Sequence, residues 1–293
     1  MRRRGWALVV VLLGIATIVP VGRSAPSWAS VAAPTKVLLI VEENRSDQQA
    51  TAGMPYLASL GRAYGVTTDY RAVTHPSLPN YLALTAGSTF GIRDDAGPAS
   101  HRLTGPTVFD RAIARGKTAK VYAEGMPVAC GQSSSGRYAV KHNPWAYFSD
   151  VASKTNCRRF DVPSGTVAAG ALRNDVLAGR LPSVGLLVPD MCHDAHDCSL
   201  GIADNWLKRW MDMIVAAPDF RAGRLAVVIT FDEDDRASGN KVLTTVVAPG
   251  TRGVVSRTAY THYAWTRYAG EVSGAALLRG ASTATSLRPG FRL

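Results

Sequence analysis

Residues 36–47 read KVLLIVEENRSD, and this stretch decides the fold. Val37 to Val41 is a short apolar, β-branched run without polar alternation, the signature of a strand buried on both faces of a parallel sheet. It breaks abruptly into Glu42, Glu43, Asn44 and Arg45. Two carboxylates, an amide and a guanidinium at the end of a buried strand are costly to desolvate unless something pairs with them. In open α/β sheets that edge is where ligands bind. Residues 225–235, LAVVITFDEDD, repeat the design, with an apolar run leading into Asp232, Glu233, Asp234 and Asp235. Two buried strands that end in carboxylates point to one shared cation site.

Outward from these two runs, strand and helix signals alternate. Residues 55–64 carry apolar side chains at helical spacing. Residues 66–73 read as a strand, 80–86 and 108–115 as helical, and 119–123 as a strand. Residues 167–178 look helical, 184–188 form a buried apolar run, 203–215 a Trp- and Met-rich helix, and 243–247 a further strand. Such alternation predicts an α/β fold, a mostly parallel sheet sandwiched by helices. Residues 131–136, with three serines, read as a loop.

The ends and the composition bound the class. Arg2, Arg3 and Arg4 precede an apolar run from Trp6 to Val21, and Ser27-Trp28-Ala29 suits a small-x-small cleavage site. That is the layout of a secretory signal peptide over residues 1–29, leaving 30–293 as a single domain and a secreted protein with no stable membrane span. No cysteine occurs before Cys130, so a lipoprotein anchor is excluded. The formal charge is +11; loss of the four leader arginines leaves about +7, which favours anionic substrates. Lacking lysine runs and aromatic–basic stripes, the chain is not expected to bind nucleic acid. Cys130, Cys157, Cys192 and Cys198 in an exported chain point to disulfides. Of three pairings, Cys130–Cys157 and Cys192–Cys198 would each clamp a local loop. No CxxC spacing supports zinc ligation instead.

Two further stretches carry chemistry. VTHPSLPN, residues 73–80, would present Ser77 on a rigid turn at a helix start, beside free backbone N–H groups that favour an anion. The same serine also suits a simple helix cap. PDMCHDAHD, residues 189–197, packs Asp190, His193, Asp194, His196 and Asp197 into one metal- or phosphate-capable cluster. His142 and His262 stand alone and suit structural roles.

The strings IVEENRSDQQ, THPSLPNYLALTAGS, YAEGMP, KHNPWAYF, PDMCHDAHDC, ADNWLKRWM, ITFDEDD and THYAWTRY together resemble the bacterial phosphoesterase family. That family holds acid phosphatases and non-haemolytic-type phospholipases C and belongs to the alkaline phosphatase superfamily. The resemblance runs in order along nearly the whole chain after the leader. It implies a three-layer, alkaline-phosphatase-like sandwich and a metal-dependent phosphoric ester hydrolase acting on a small phosphate ester or a phospholipid head group. By position it implies a divalent metal (Mg, Ca, Mn or Zn) on Glu43, Asn44, Asp232 and Glu233. It also implies phosphate contacts from His142 and His196. SLPN resembles the T-F-P-N of the superfamily's nucleotide pyrophosphatases, pointing to Ser77 as nucleophile with Asn80 as helper and Thr74 as the alternative. Asp190 and His193 would orient these groups or bind a second ion. A non-catalytic phosphate- or glycan-binding protein that retains the metal site is the competing class, but the hydroxyls at both 74 and 77 argue for an enzyme. A sulfatase would need a C/S-x-P-x-R string, and none sits at Ser77.

Overall fold

A computed structural model describes Met1, residues 5–8, Val10 and residues 32–293. Apart from those few positions, the leader expected over residues 1–29 lies outside the described residues. Ten strands follow: β1 (Lys36–Glu42), β2 (Gly65–Thr67), β3 (Tyr70–Arg71), β4 (Ala119–Ala123), β5 (Asp161–Pro163), β6 (Val184–Val188), β7 (Leu225–Phe231), β8 (Thr244–Val247), β9 (Val254–Ser256) and β10 (Tyr260–Thr261). Eight of them form one sheet in the order β5-β4-β6-β1-β7-β8-β2-β9. Only β8 runs against its neighbours, β7 and β2.

Strand β1 holds the centre, parallel to β6 on one side and to β7 on the other, with Val37 opposite Val184 and Ala226. Every residue of β6 and β7, and all of β1 after Lys36, is buried. This is why these segments read as unbroken apolar runs. Two separate groups of helices supply the cover. Ser77–Ala86, Val108–Ala114, Val151–Phe160 and His262–Ser273 pack among themselves, and so do Pro55–Ala63, Ala171–Leu177, Leu200–Ala216 and Pro218–Arg221. The result is the expected α/β architecture with a mostly parallel central sheet.

The segment 66–73 departs from the single strand expected of it. It divides into β2 and β3, because Asp69 N donates to Thr67 Oγ1 at 3.2 Å and turns the chain. Strand β3 then leaves the main sheet to pair with β10. The helix expected over 80–86 begins earlier, at Ser77, and ends at Gly87, whose φ is +70°. A Cβ there would lie 2.5 Å from Leu278 O, so glycine is required. Both disulfides pair as expected, Cys130 with Cys157 and Cys192 with Cys198.

Candidate active site

The carboxyl ends of β1, β4, β6 and β7 lie side by side, so the acidic segments that follow them meet at one edge. Asp232 N donates to Glu42 O at 2.9 Å, Glu43 N to Asp194 O at 2.8 Å, and Glu124 N to Val188 O at 2.9 Å. Successive strand residues face opposite sides of a sheet, and Glu42 and Glu43 show it. Glu43 meets the helix that begins at Ser77. Glu42 is buried with both oxygens unpartnered. Burial, with Asp194, Asp204 and Glu124 nearby, holds its pKa well above the usual carboxylate range.

The β1 end is tightly organised. Asn44 takes φ +57°, a left-handed conformation that asparagine tolerates. Its N–H donates to Asp232 Oδ1 at 3.1 Å and its Nδ2 to Glu43 Oε2 at 3.2 Å. Arg45 donates to Asn44 O at 2.9 Å and to Ala195 O at 3.0 Å, tying this turn to the Asp194 loop. Ser46 then caps the next helix with Gln49. His262 Nε2 donates to Asp232 O at 2.6 Å, and burial pushes its pKa down to about 4, so it braces the second carboxylate strand as a neutral ring.

Ser77 Oγ donates to Glu43 Oε2 at 3.1 Å, and Tyr81 OH donates to Glu43 Oε1 at 2.7 Å from one turn further along the same helix. Thr74 is partly exposed, and its hydroxyl is used on His75 O at 3.2 Å. Asn80 works on the turn itself. Its Oδ1 accepts from Val73 N and Thr74 N, both at 3.0 Å, while its Nδ2 reaches Thr74 O at 2.8 Å, Pro76 O at 3.2 Å and Glu233 Oε2 at 3.3 Å. Asn240 adds a further bond to Thr74 O at 2.9 Å. Asp234 organises the adjoining loop by accepting from Arg236 N, Ser238 N and Asn240 N.

His142 is buried and stacked on Tyr81 with ring centroids 5.0 Å apart. Its Nε2 lies 3.2 Å from Glu43 Oε1 and its Nδ1 3.3 Å from Asp194 Oδ2. Burial, with Lys141 and His196 beside it, lowers its pKa well below the usual range, so the ring is neutral. His196 pairs its Nδ1 with Asp197 Oδ1 at 2.7 Å and its Nε2 with Lys141 Nζ at 3.3 Å. Lys141 also reaches Asp95 Oδ2 at 3.2 Å, and Asp95 Oδ1 accepts from Leu78 N at 2.9 Å. Burial works against the charge on Lys141, but Glu43 and Asp95 outweigh it and hold its pKa up. His193 and Asp190 sit apart, in a cluster with Glu124. His193 Nδ1 is 2.9 Å from Glu124 Oε2 and 3.4 Å from Asp190 Oδ1, and its ring stacks on Trp206.

The residues at this edge suit a hard divalent cation. Asp232 Oδ2, Asp194 Oδ2 and His142 Nε2 are buried without hydrogen-bond partners. Ligand atoms of Glu43, His142 and Asp194 lie within 4.8 Å of one another. Burial raises Glu43 well above the usual range and pushes Asp232 up to about 8, Asp194 to about 7 and Glu233 to about 7. Mostly oxygen donors crowded together, such a set is compatible with a divalent cation. Of the four expected ligands, Glu43, Asn44 and Asp232 are joined directly. Glu233 faces Asn80 and His75, whose Nδ1 is 3.1 Å away. His75, Tyr81, Asp95 and Lys141 were not assigned roles from sequence, and Asp194 was read only as one member of the cluster at residues 189–197. Their partners lie 17 to 158 positions away along the chain, beyond the reach of any local pattern.

Residues 46–270 match the phosphoesterase family. A phosphatidylinositol-3-phosphatase of Mycobacterium tuberculosis is 34% identical over 233 residues, covering 76% of this chain and 73% of that protein. A phosphate-repressible acid phosphatase of Penicillium chrysogenum is 32% identical over 71% of this chain, and an acid phosphatase of Aspergillus fumigatus 29% identical over 74%. The matches cover 51% and 49% of those fungal proteins, so the chain spans about half their length. Among solved structures, a protein of the alkaline phosphatase superfamily from Vibrio parahaemolyticus superposes with a TM-score of 0.59. It covers 85% of this chain and 70% of its own at 11% identity. At that identity the likeness concerns the fold.

Proposed function

The chain belongs to the phosphoesterase family and is a phosphoric ester hydrolase; from that premise we propose that it acts through Ser77 beside one divalent cation held by Glu43, Asn44, Asp232 and Glu233. The observation that carries this reading is the Ser77 hydroxyl, buried at a helix start and donating to Glu43 Oε2 at 3.1 Å. A divalent cation bound there supplies charge neutralisation for a phosphoryl oxygen and a lowered pKa for a coordinated hydroxyl.

The chain's own groups then divide the work. Ser77 Oγ gives up its proton to water and attacks phosphorus in line with the ester oxygen, the bond to the leaving oxygen breaks with its electron pair on the alkoxide, and phosphoserine forms. Water hydrolyses it in a second displacement, releasing phosphate and restoring the hydroxyl. His142, neutral and locked between Tyr81 and Asp194, contributes to the phosphoryl pocket. His196, whose Nε2 accepts from Lys141 and whose Nδ1 donates to Asp197, joins His142 at the phosphoryl pocket, and the leaving alkoxide takes its proton from water. Asn80 keeps the turn that carries Ser77 in place, and Asp190 and His193 brace the loop behind Asp194.

Substrates in this reading are small phosphate esters or the phosphorylated head group of a lipid, as the name of the mycobacterial relative suggests. Export through a cleaved leader at residues 1–29, ahead of one domain over 30–293, fits the two disulfides. The test is an assay of aryl phosphate, bis-aryl phosphate and phosphatidylcholine with and without chelator, joined to an acid quench. Chelation should abolish turnover, and the quench should leave phosphate on the peptide containing Ser77. Phosphate on Thr74 would move the nucleophile. Full turnover by Ser77→Ala would replace covalent catalysis with direct attack by water.

A further inference from the structure

Lys141 has so far only held His196, yet its ammonium is fixed inside the site. Its ammonium carries three N–H donors and no acceptor. One is directed to Asp95 Oδ2 and another to His196 Nε2, which leaves a third. Both partners are themselves fixed, Asp95 by Leu78 N at 2.9 Å and His196 by Asp197 at 2.7 Å. Leu78 follows Ser77 directly, so the chain Lys141–Asp95–Leu78 sets the ammonium relative to the start of the nucleophile's helix. The ammonium also lies within electrostatic reach of Glu43, the acceptor of the Ser77 hydroxyl, and of Asp232 and Glu233. Arg236, which acts on Glu233 from the following loop, is exposed.

We propose that Lys141 contacts the phosphoryl group and makes the enzyme prefer phosphate monoesters over diesters. This deepens the Ser77 reading and rests on it. A monoester dianion presents three non-bridging oxygens that share two negative charges. A diester presents two that share one, and an ester carbon occupies the third position. An ammonium held at that third position gains a strong charge-assisted bond from the monoester. Against the diester it faces an alkyl or aryl group and stays half-buried without a partner, which penalises binding. Because its bonds to Asp95 and His196 fix it before substrate arrives, its effect falls on the charge of the transition state, not on capture alone.

The experiment compares kcat/KM for an aryl phosphate and a bis-aryl phosphate with the same leaving group, using the metal-replete enzyme, Lys141→Met, Lys141→Arg and Arg236→Ala. Lys141→Met keeps most of the side-chain stem and removes the charge. It should lose on the order of 100-fold on the monoester, as for removal of one oxyanion donor, and less than about fivefold on the diester. Inhibition by inorganic phosphate should weaken in parallel with the monoester loss. Lys141→Arg should restore part of the preference, whereas Arg236→Ala should move both substrates alike through KM. Equal losses on both substrates in Lys141→Met would make Lys141 a brace for Asp95 and overturn the proposal. So would a wild-type enzyme that turns over the diester faster than the monoester. Should Lys141→Met fail to fold, the monoester-to-diester ratio of Lys141→Gln decides: a ratio unchanged from wild type overturns the proposal and a narrowed one supports it. Ser77→Ala, assayed alongside, reports on the nucleophile separately, because its loss should strike both substrates equally.

Discussion

Ser77 and Thr74 stand three residues apart in one turn, but their hydroxyls are engaged differently. Ser77 Oγ faces Glu43, whereas Thr74 Oγ1 is used on the carbonyl of its neighbour His75. Ser77→Ala should therefore lower turnover by several orders of magnitude while metal content, read by elemental analysis, survives. Thr74→Ala should cost only a hydrogen bond, about 1 kcal/mol, or roughly fivefold in rate. A second residue-scale prediction concerns Asp161, at the start of β5. Burial pushes its carboxyl from 3.8 up to about 7, despite the bond it accepts from Asn143 at 2.8 Å. The folded chain thus keeps a proton that the unfolded chain has lost, and this contribution to stability, full below about pH 4, disappears as pH rises toward 7. Melting temperatures across that range should fall more steeply for wild type than for Asp161→Asn. A difference between the two that stays constant with pH would refute the assignment.

At the scale of elements, β1 and β7 were legible because burial on both faces left them as unbroken apolar runs, and the acidic residues after each run marked the edge where they stop. The same logic caught β4 and β6. It failed for residues 66–73, where the Thr67–Asp69 turn divides an apolar-looking stretch between two sheets. It also passed over Val151–Phe160, a helix so polar that only Ser153 and Cys157 are buried. His262 was read as structural, and its bond to the Asp232 carbonyl agrees. Lys141 was invisible, since nothing in KHNPW reports a partner at Asp95 or His196. The paired strand ends make a prediction of their own. Asp232→Ala should remove both the cation and hydrolysis, and a full metal complement in that variant would break the cage as drawn. The two disulfides should also differ. By loop-closure entropy, breaking Cys130–Cys157, with 27 positions between its ends, costs about 3.5 kcal/mol, and Cys192–Cys198, with 6, about 2 kcal/mol. Yet the smaller loss should harm turnover more, because that loop carries Asp194 and His196. Urea melts and kcat measured on Cys→Ser variants would reverse this ranking if it is wrong.

For the whole molecule, the excess of basic residues, +11 over the full chain, stands against a catalytic edge crowded with carboxylates. Added salt should raise KM for a dianionic substrate with little change in kcat, since screening acts on approach more than on chemistry. With the cation bound as proposed, its removal should act on the fold as well as the reaction. A ligand bound only by the native state stabilises it by mass action, so chelator should lower the melting temperature and restored divalent ion should raise it again.

The central place of β1 also sets an order in time. Its partners in the sheet begin at Val184 and Leu225, well over a hundred positions further along the chain. Pairings that span so much chain close slowly, because the loop entropy must be overcome before any contact rewards it. Glu43 therefore exists early in synthesis as a lone acid, and acquires Asp232 only when the seventh strand arrives. A chain interrupted before Leu225 carries Ser77 without Asp232 and should not hydrolyse. During refolding, helical signal should recover well ahead of enzyme activity, which makes activity a stopwatch for the docking of β7.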